Sequence, residues 1–402
     1  MANIQNPQSA TTVFLDQPPS CLEFCPEAPD YFIVGTYLLS ETKTDQDEIE
    51  QKKTGSLQLW KLDPISKALS QIQRIDVPYA VFDLHFHPRQ KNLFAIASSV
   101  GSVSLFQVNA SDPSTSPSIT QLWTKQVHED PSIPALFLAW APQDWFPRSP
   151  ADGFAVTFSD SRSSVFGTEG DLCDLVEWGT FEAKQMIEVW FVALASITGA
   201  DAKSQIPFMF TGNDFGSLHT RRFGADLDDP DDHLAPMLLE HDDRARHHTA
   251  GVTAILPLSD SLVDDAPVLL TGCYDEGLRV YHATRRGEVL AEQCLDGGVW
   301  RLQMLETRRI MDAGDTAVVE TRFLVLASCM HAGSRVVRVS CKENGGTGDW
   351  DIEVLAKFTE HESMNYASGV WNGVDRESEK SEILVVSSSF YDRRLCVWTA
   401  DV

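Results

Sequence analysis

Short runs of alternating apolar and polar residues, rich in β-branched and aromatic types, fill the chain between clusters of turn residues. One pattern recurs, an apolar strand that ends in small residues, then a tight polar turn and a second alternating strand. Seven copies of this pattern begin at Phe32, Leu93, Gly153, Phe208, Val268, Phe323 and Ile383. Successive copies lie between 53 and 62 positions apart, measured at the equivalent residues Gly35, Ala97, Phe158, Thr211, Thr271, Ala327 and Ser388.

A further strand candidate precedes each copy, and the variable remainder has room for a fourth strand. The units lie near residues 20–62, 79–108, 134–167, 186–223, 248–284, 297–340 and 360–402. Seven four-stranded units indicate a β-propeller of the WD-repeat type. We therefore predict an all-β chain in which residues 1–402 form one seven-bladed propeller. A two-sandwich fold fits the even spacing less well.

The last unit ends too soon to hold four strands. Fourteen residues follow Ser388, enough for its third strand alone. Residues 12–16 form a short apolar strand ahead of the first unit, and they can supply the missing fourth strand. This pairing would remove two open sheet edges, so deletion of residues 1–17 is expected to destabilise the protein.

Two polar insertions interrupt the repeats. Residues 41–54 separate two strands of the first unit. The insertion of residues 224–246 begins with a run of five aspartates, at positions 226, 228, 229, 231 and 232. This acidic run lacks the glycine and the final glutamate of a calcium loop, so we predict a solvated loop.

Charge and composition exclude several classes of function. The chain has 402 residues, with 32 Lys and Arg against 58 Asp and Glu, which gives a net charge of −26. Nucleic acids and anionic membranes attract clustered cations, so a basic or cationic partner fits better. No apolar stretch reaches the 18 residues that a membrane span needs. The eight cysteines are dispersed without a CxxC pair, which favours reduced thiols in a cytoplasmic protein.

Motifs for bound cofactors or metals are missing from the sequence. It has no GxSxG, Walker A, HExxH or GxGxxG pattern, so we predict neither a cofactor nor a metal. In a propeller, the turns between second and third strands share one face with the loops that lead into the first strands. The polar and aromatic residues expected on this face are Glu188, Trp190, Asp214, His247, His248, Thr249, Tyr274, Asp275, Glu276, Trp300, Arg301, Cys329, Met330, His331, Glu360, His361, Glu362, Ser363, Phe390, Tyr391 and Asp392.

Some of these residues suit structural roles. WD repeats commonly hold a turn aspartate against a histidine and a hydroxyl of the preceding loop, and Asp275 with His248 and Thr249 fits that network. Cys329 at a strand end is more typical of a small buried residue than of a nucleophile.

Other residues favour chemistry. His331 and His361 do not fit the stabilising network easily, and histidine side chains ordinarily titrate near neutral pH. Trp190 and Trp300 suit either packing or ligand binding.

Several stretches together resemble the WD-repeat diphthine methyl ester hydrolases, also called diphthine methyltransferases, of the diphthamide pathway. The matching stretches are GTYLLS (35–40), VFDLHF (81–86), IEVW (187–190), RHHTAGVTAI (246–255), TGCYDEGLRVY (271–281), GGVWRL (297–302), ASCMHAG (327–333), EHESMNY (360–366) and SFYDRRLCVW (389–398). They cover nearly the whole chain in the right order. The chain departs from the family after Tyr366, where an expected Gly and Asp are missing, and at Val189, where the family tends to have Ala.

The resemblance implies a carboxyl methyl ester hydrolase that demethylates methylated diphthine on elongation factor 2, without a cofactor and as a monomer. Diphthine carries a trimethylammonium group, and aromatic faces attract such cations. The expected substrate-binding residues are Trp190, Tyr274, Trp300 and Tyr391 as cage walls, with Glu188 and Arg301.

Ester cleavage also needs a base, and a nucleophile or an activated water. The candidate base is His331 or His361, oriented by Glu360 or Asp275. Arg301 or a tyrosine hydroxyl could stabilise developing charge. Ser363 is a candidate nucleophile, with activated water as the alternative. The competing interpretation is a non-catalytic WD-repeat scaffold, or a trafficking or assembly adaptor, since most such propellers bind partners only.

Overall fold

The computed structural model describes residues 4–43, 49–110, 116–199, 204–258, 261–311, 318–342, 347–373 and 382–402. These residues form seven β-sheets, and the predicted fold is confirmed as an all-β, seven-bladed β-propeller. The chain divides into two compact units, one of residues 139–357 and the other of residues 5–138 and 358–402. A single domain over residues 1–402 stays a prediction.

The unit of residues 5–138 and 358–402 contains the first, second and last blades. The first blade consists of β2 (Pro19–Phe24), β3 (Tyr31–Thr36), β4 (Leu38–Lys43), β5 (Ile49–Leu62) and β6 (Leu69–Val77). The second consists of β7 (Val81–Phe86), β8 (Leu93–Ser98), β9 (Ser102–Asn109) and β10 (Ser118–Gln126). The last consists of β1 (Thr11–Phe14), β27 (Ala367–Val370), β28 (Glu382–Ser389) and β29 (Arg394–Asp401).

The four middle blades follow in chain order. The third consists of β11 (Ala135–Trp140), β12 (Asp152–Phe158), β13 (Arg162–Thr168) and β14 (Val176–Glu182), with a 3₁₀ turn at Leu172–Asp174. The fourth consists of β15 (Val189–Thr198), β16 (Gln205–Asn213), β17 (Leu218–Phe223) and β18 (Met237–Asp242). The fifth consists of β19 (Val252–Pro257), β20 (Val268–Cys273), β21 (Gly277–His282) and β22 (Glu288–Cys294). The sixth consists of β23 (Arg301–Met311), β24 (Val318–Ser328), β25 (Ser334–Lys342) and β26 (Asp349–Phe358).

Burial explains which strands the sequence made visible. Every residue of the middle strands β8, β12 and β20 is buried, so each reads as a continuous apolar run. The outer strands β10 and β14 expose many of their residues and carry far fewer apolar ones. A search for apolar runs therefore does not detect outer strands such as β10 and β14.

The predicted completion of the last blade is confirmed. Strand β1 pairs antiparallel with β29, with Thr11 opposite Val397 and Phe14 opposite Arg394. The backbone N–H of Leu15 continues the contact by donating to the carbonyl of Arg393 at 2.8 Å. The Leu15 side chain is only 6% exposed and joins the apolar core of this unit.

The insertion of residues 41–54 is more regular than the sequence suggested. Strand β4 pairs with the first half of β5, from Leu38 opposite Thr54 to Lys43 opposite Ile49, so the insertion extends a hairpin from the first blade. Residues 44–48 lie outside the described residues. The β-branched and long side chains here form strands although most of them are exposed, because pairing across the hairpin satisfies the backbone.

The eight cysteines form no disulfide bonds with one another. Cys329 is fully buried, and burial raises its pKa to about 12, which suits a small core residue rather than a nucleophile. Within the described residues, no helix is long and apolar enough to cross a membrane.

Candidate functional site

In the unit of residues 139–357, main-chain hydrogen bonds connect the start of the first strand with the end of the second strand within each of three blades. The N–H of Tyr274, on the turn after β20, donates to the carbonyl of Gly251 at 2.9 Å. The N–H of Asp214, on the turn after β16, donates to the carbonyl of Glu188 at 2.9 Å. The N–H of Trp300 bonds in the same way to the end of β24. Main-chain hydrogen bonds thus fix the positions from which the candidate side chains extend.

Three half-buried aromatic side chains form one cluster, which we call the aromatic trio: Trp190, Tyr274 and Trp300. The ring centroids lie 6.2 Å apart for Trp190 and Tyr274, 5.6 Å for Trp190 and Trp300, and 5.8 Å for Tyr274 and Trp300. The trio brings together three of the four aromatic residues expected to bind substrate. Its angles of 89°, 61° and 36° place the rings as inclined walls rather than as a flat stack.

Asp214 orients one wall of the aromatic trio. Its Oδ1 accepts a hydrogen bond of 2.7 Å from the indole Nε1 of Trp190. Trp190 is the extra residue of a β-bulge at the start of β15, and a bulge re-aims the side chain that it carries. The sequence placed Asp214 on the correct face without assigning it a role. The signal was its position, since it follows β16 as Tyr274 follows β20.

Two glycines let the surrounding backbone approach the trio. A Cβ on Gly251 would lie 2.7 Å from the ring of Tyr274. A Cβ on Gly298 would lie 2.6 Å from Sδ of Met330 and 3.4 Å from Cα of Tyr274. The turn that carries Met330 therefore packs beside Tyr274, and the exposed His331 is the next residue on this turn.

Arg301 lies against the outside of the trio. Its guanidinium carbon is 4.6 Å from the ring centroid of Trp300 and 5.7 Å from that of Phe191. Its Nη1 donates to the carbonyl oxygens of Thr253 at 3.2 Å and of Trp300 at 2.9 Å. A cation therefore already lies against Trp300, and the main-chain bonds hold it in place.

Asp275 bonds to Thr249, as the predicted network requires, but its other partner is Arg279 rather than His248. It receives two hydrogen bonds of 2.9 Å from the guanidinium of Arg279 and one of 2.9 Å from the backbone N–H of Thr249. Burial alone would raise the pKa of Asp275, but these donors hold it well below its usual range. His248 bonds to the hydroxyl of Thr271 at 2.9 Å, and burial lowers its pKa to about 3.

In the unit of residues 5–138 and 358–402, His361 lies inside a buried hydrogen-bond chain. Its Nε2 is 2.8 Å from Oγ of Ser387, which also accepts a 3.0 Å bond from Nε1 of Trp398. The imidazole packs against Phe358, and burial lowers its pKa to about 4. The expectation that His361 does not fit a stabilising network is wrong. Its partners Ser387 and Trp398 lie on other strands, so the neighbours of His361 in the sequence did not indicate them.

The neighbours of His361 have structural partners of their own. Glu360 Oε2 accepts the backbone N–H of Ser9 at 3.1 Å and also the Ser9 hydroxyl, so it holds the segment that precedes β1. The Ser363 hydroxyl accepts the backbone N–H of Tyr391 at 2.7 Å and bonds with the hydroxyl of Ser389 at 3.2 Å. Glu360 and Ser363 thus bind the closing strand and a turn of the last blade.

A second aromatic group occupies this unit. Tyr391 is 69% exposed and packs on Phe390 with centroids 5.0 Å apart. Phe390 also contacts Tyr366 at 5.4 Å and Tyr37 at 6.1 Å. Burial raises the pKa of both Tyr366 and Tyr37, so their hydroxyls stay protonated near neutral pH.

The sequence analysis did not identify His85, whose imidazole lies between two carboxylates. His85 Nε2 lies 2.8 Å from Oδ2 of Asp83, and its Nδ1 lies 3.2 Å from Oε2 of Glu23. Burial by itself would lower the pKa of His85, but the two carboxylates raise it to about 10. The alternation in β7 was the available signal, because it places Asp83 and His85 on one face of the strand.

Within the described residues, no group of three or more His, Cys, Asp or Glu side chains is arranged to hold a metal ion.

Comparisons with known proteins agree with the resemblance in the sequence. No family model matches the chain. A diphthine methyltransferase of Schizosaccharomyces pombe is 33% identical over 153 residues, which cover 38% of this chain and 38% of that protein. A diphthine methyltransferase homolog of Dictyostelium discoideum is 20% identical over 412 aligned positions, which cover 96% of this chain and 98% of that protein. The predicted resemblance is confirmed.

Solved structures share the fold at low identity. The crystal structure of Saccharomyces cerevisiae Sqt1 matches 99% of this chain and all of that chain, with a TM-score of 0.57 and 13% identity. A chain in the crystal structure of a mitotic checkpoint complex matches all of this chain and 98% of that chain, with a TM-score of 0.55 and 12% identity. These two matches concern the fold alone.

Proposed function

We propose that this chain hydrolyses the methyl ester of methylated diphthine on elongation factor 2, a step of diphthamide biosynthesis. The observation that carries the proposal is the similarity, over 96% of the chain, to a protein named diphthine methyltransferase homolog. The better-conserved segment shared with the protein of Schizosaccharomyces pombe supports it, although that match spans 38% of each chain. The aromatic trio gives support that does not depend on any relative.

The trio suits the cationic end of this substrate. A quaternary ammonium gains about 0.5 to 2 kcal/mol from an aromatic face within roughly 6 Å, and it needs no hydrogen-bond acceptor. The three rings have centroids 5.6 to 6.2 Å apart, and the carboxylate of Asp214 borders them. The net charge of −26 adds long-range attraction for a cationic loop.

His331 is the base that fits best beside the trio. It is exposed on the turn next to Tyr274, whereas His361 is buried and bonded to Ser387. His331 takes a proton from water, the water oxygen attacks the ester carbonyl, and methoxide leaves with that proton as methanol. The products are methanol and the carboxylate, with one proton released. Water is the proposed nucleophile because the Ser363 hydroxyl already serves two neighbours.

The decisive experiment is a turnover assay. Elongation factor 2 that carries methyl-esterified diphthine is incubated with the purified chain in the absence of S-adenosylmethionine. We expect release of methanol and a mass loss of one methylene unit from the modified peptide. Binding without methanol release would support the scaffold alternative. Transfer of label from S-adenosylmethionine to the unesterified substrate would contradict hydrolysis and favour the opposite reaction.

Two variants connect that activity to the proposed residues. His331→Ala is expected to lower kcat by about 10²- to 10⁴-fold, the usual contribution of a positioned base. Trp190→Ala is expected to raise KM about tenfold through loss of one cage wall. Trp123→Ala is the matched control, since Trp123 is a half-buried tryptophan on the outer strand β10. Full activity of His331→Ala would exclude His331 as the base.

A further inference from the structure

The outer strand of the fourth blade, β18, exposes three large apolar side chains in succession. Met237 is 43% exposed, Leu238 is 62% exposed and Leu239 is 43% exposed. An outer strand ordinarily turns every second side chain toward its own blade. Here the register shifts between Arg222, which lies opposite Leu239, and Phe223, which lies opposite Met237, so Leu238 is an extra residue. All three side chains are exposed.

The other outer strands differ from β18. Among the described residues, β6, β10, β14 and β1 each expose one large apolar side chain, and β22 and β26 expose none. Within the part of the chain that the structure describes, β18 is also the last strand of its sheet and pairs with β17 alone. Its outer backbone N–H and C=O groups can therefore pair with an added strand. An exposed apolar patch on an open strand edge promotes aggregation unless a partner covers it.

An acidic loop precedes β18 in the chain. Five exposed aspartates occupy the loop of residues 226–232. The carbonyl of Pro230 accepts a hydrogen bond from Arg148, and the imidazole of His233 stacks on Trp178 at 5.1 Å and 13°. Contacts at Pro230 and His233 thus anchor the segment that carries the aspartates, and β18 follows it directly in the chain.

We propose that β18 and the acidic loop of residues 226–232 bind an extended polypeptide segment that alternates apolar and basic residues. The segment adds to the open edge as an antiparallel or parallel strand, its apolar side chains cover Leu238, and its basic side chains pair with the aspartates. Charge decides between this occupant and a second copy of the chain. Two copies would each bring −26 and place two acidic loops together, which disfavours self-association.

The test uses a blocked synthetic octapeptide of alternating Lys and Val, with alternating Glu and Val as the control peptide. Affinity is measured by titration calorimetry, and the binding site is located by amide hydrogen exchange on the full chain. We expect the Lys peptide to protect the amides of residues 237–242, and the Glu peptide not to bind. The proposal does not depend on the ester hydrolysis proposed above, because neither the trio nor His331 takes part.

Matched variants separate strand addition from general attraction to an acidic protein. Leu238→Lys places a charge on β18, and Leu122→Lys places the same charge on β10, where Leu122 is 45% exposed. We expect Leu238→Lys to weaken binding of the Lys peptide at least tenfold, and Leu122→Lys to leave it within twofold. Both sites are exposed, so both variants should melt within a few degrees of the parent protein.

Three outcomes would overturn the proposal. The first is equal weakening by the two variants, which would indicate binding through net charge alone. The second is exchange protection that does not include residues 237–242. The third is concentration-dependent dimerisation in sedimentation equilibrium that Leu238→Lys abolishes, with no binding of the Lys peptide, which would assign the edge to a second copy.

Discussion

Replacing Leu15 by Ala should test whether the strand that completes the last blade contributes to stability. Leu15 is 6% exposed and packs with the apolar core that includes Leu395 and Val397. Truncating a buried leucine costs about 2 to 5 kcal/mol, and the lower half applies here because the site lies at a strand end where neighbours can relax. We expect Leu15→Ala to reduce the free energy of unfolding by about 2 to 3 kcal/mol.

Phe14 supplies the matched control one residue away. It is 68% exposed, and its ring lies 5.7 Å from the guanidinium carbon of Arg394. Loss of an exposed cation–π contact costs about 0.5 kcal/mol, so Phe14→Ala should change stability by less than 1 kcal/mol. The difference in unfolding free energy between the two variants therefore measures the contribution of the buried Leu15 side chain.

The assay is urea unfolding followed in parallel by tryptophan fluorescence and far-UV circular dichroism, since coincident transitions are required before a free energy is extracted. Deletion of residues 1–17 should cost more than Leu15→Ala, because it also removes the hydrogen bonds from Leu15 to Arg393 and from Ala10 to Val397. Equal stability of Leu15→Ala and Phe14→Ala, or an unchanged melting temperature after the deletion, would refute the reasoning.

The remaining predictions concern charge and aromatic contacts. Burial lowers the pKa of His361 to about 4 from an ordinary 6.5, so its stabilisation is complete above pH 6.5 and is lost as pH falls toward 4; His361→Gln should flatten that loss, by up to about 3 kcal/mol in urea titrations at pH 7.5 and 4.5. Asp275→Asn removes one of two carboxylate partners of the buried Arg279, the other being Glu292, and should cost about 1.5 to 3 kcal/mol in thermal unfolding. The exposed Asp229→Asn should cost less than about 0.5 kcal/mol. Trp190→Phe keeps the aromatic face but removes the hydrogen bond to Asp214, so its KM should rise less than that of Trp190→Ala; an equal rise would show that the indole N–H, not the ring, matters.

Much of the fold followed from the sequence because the middle strands of each blade are buried on both faces. The run that begins at Leu93, for example, consists of buried residues. One such apolar run occurs in each blade, so the number of runs gives the number of blades. The short strand at 12–16 was predicted from the missing fourth strand alone, and β1 spans Thr11–Phe14. The outer strands were not located from the sequence. Many of their side chains face solvent, so these strands contain no long run of apolar residues.

The candidate site was predictable in position but less so in chemistry. Turn and lead-in positions predicted that Trp190, Tyr274 and Trp300 share one face, and their rings are in contact. Roles were harder, since one histidine on such a loop can be exposed, as His331 is, while another is buried, as His361 is. That difference depends on a hydroxyl and an indole 26 and 37 residues further along the chain, which no local pattern reveals.

The pairing of β1 with β29 also bears on how the chain reaches its folded state. Thr12 and Cys396, which contact each other across these strands, are 384 residues apart in sequence. During synthesis, β1 leaves the ribosome before every other strand described here, yet its partner is made after all of them. Six blades can form from contiguous segments as they emerge, whereas the seventh must wait until β29 has been made. Until then, the apolar face of β1 around Leu15 is a segment that chaperones would be expected to protect.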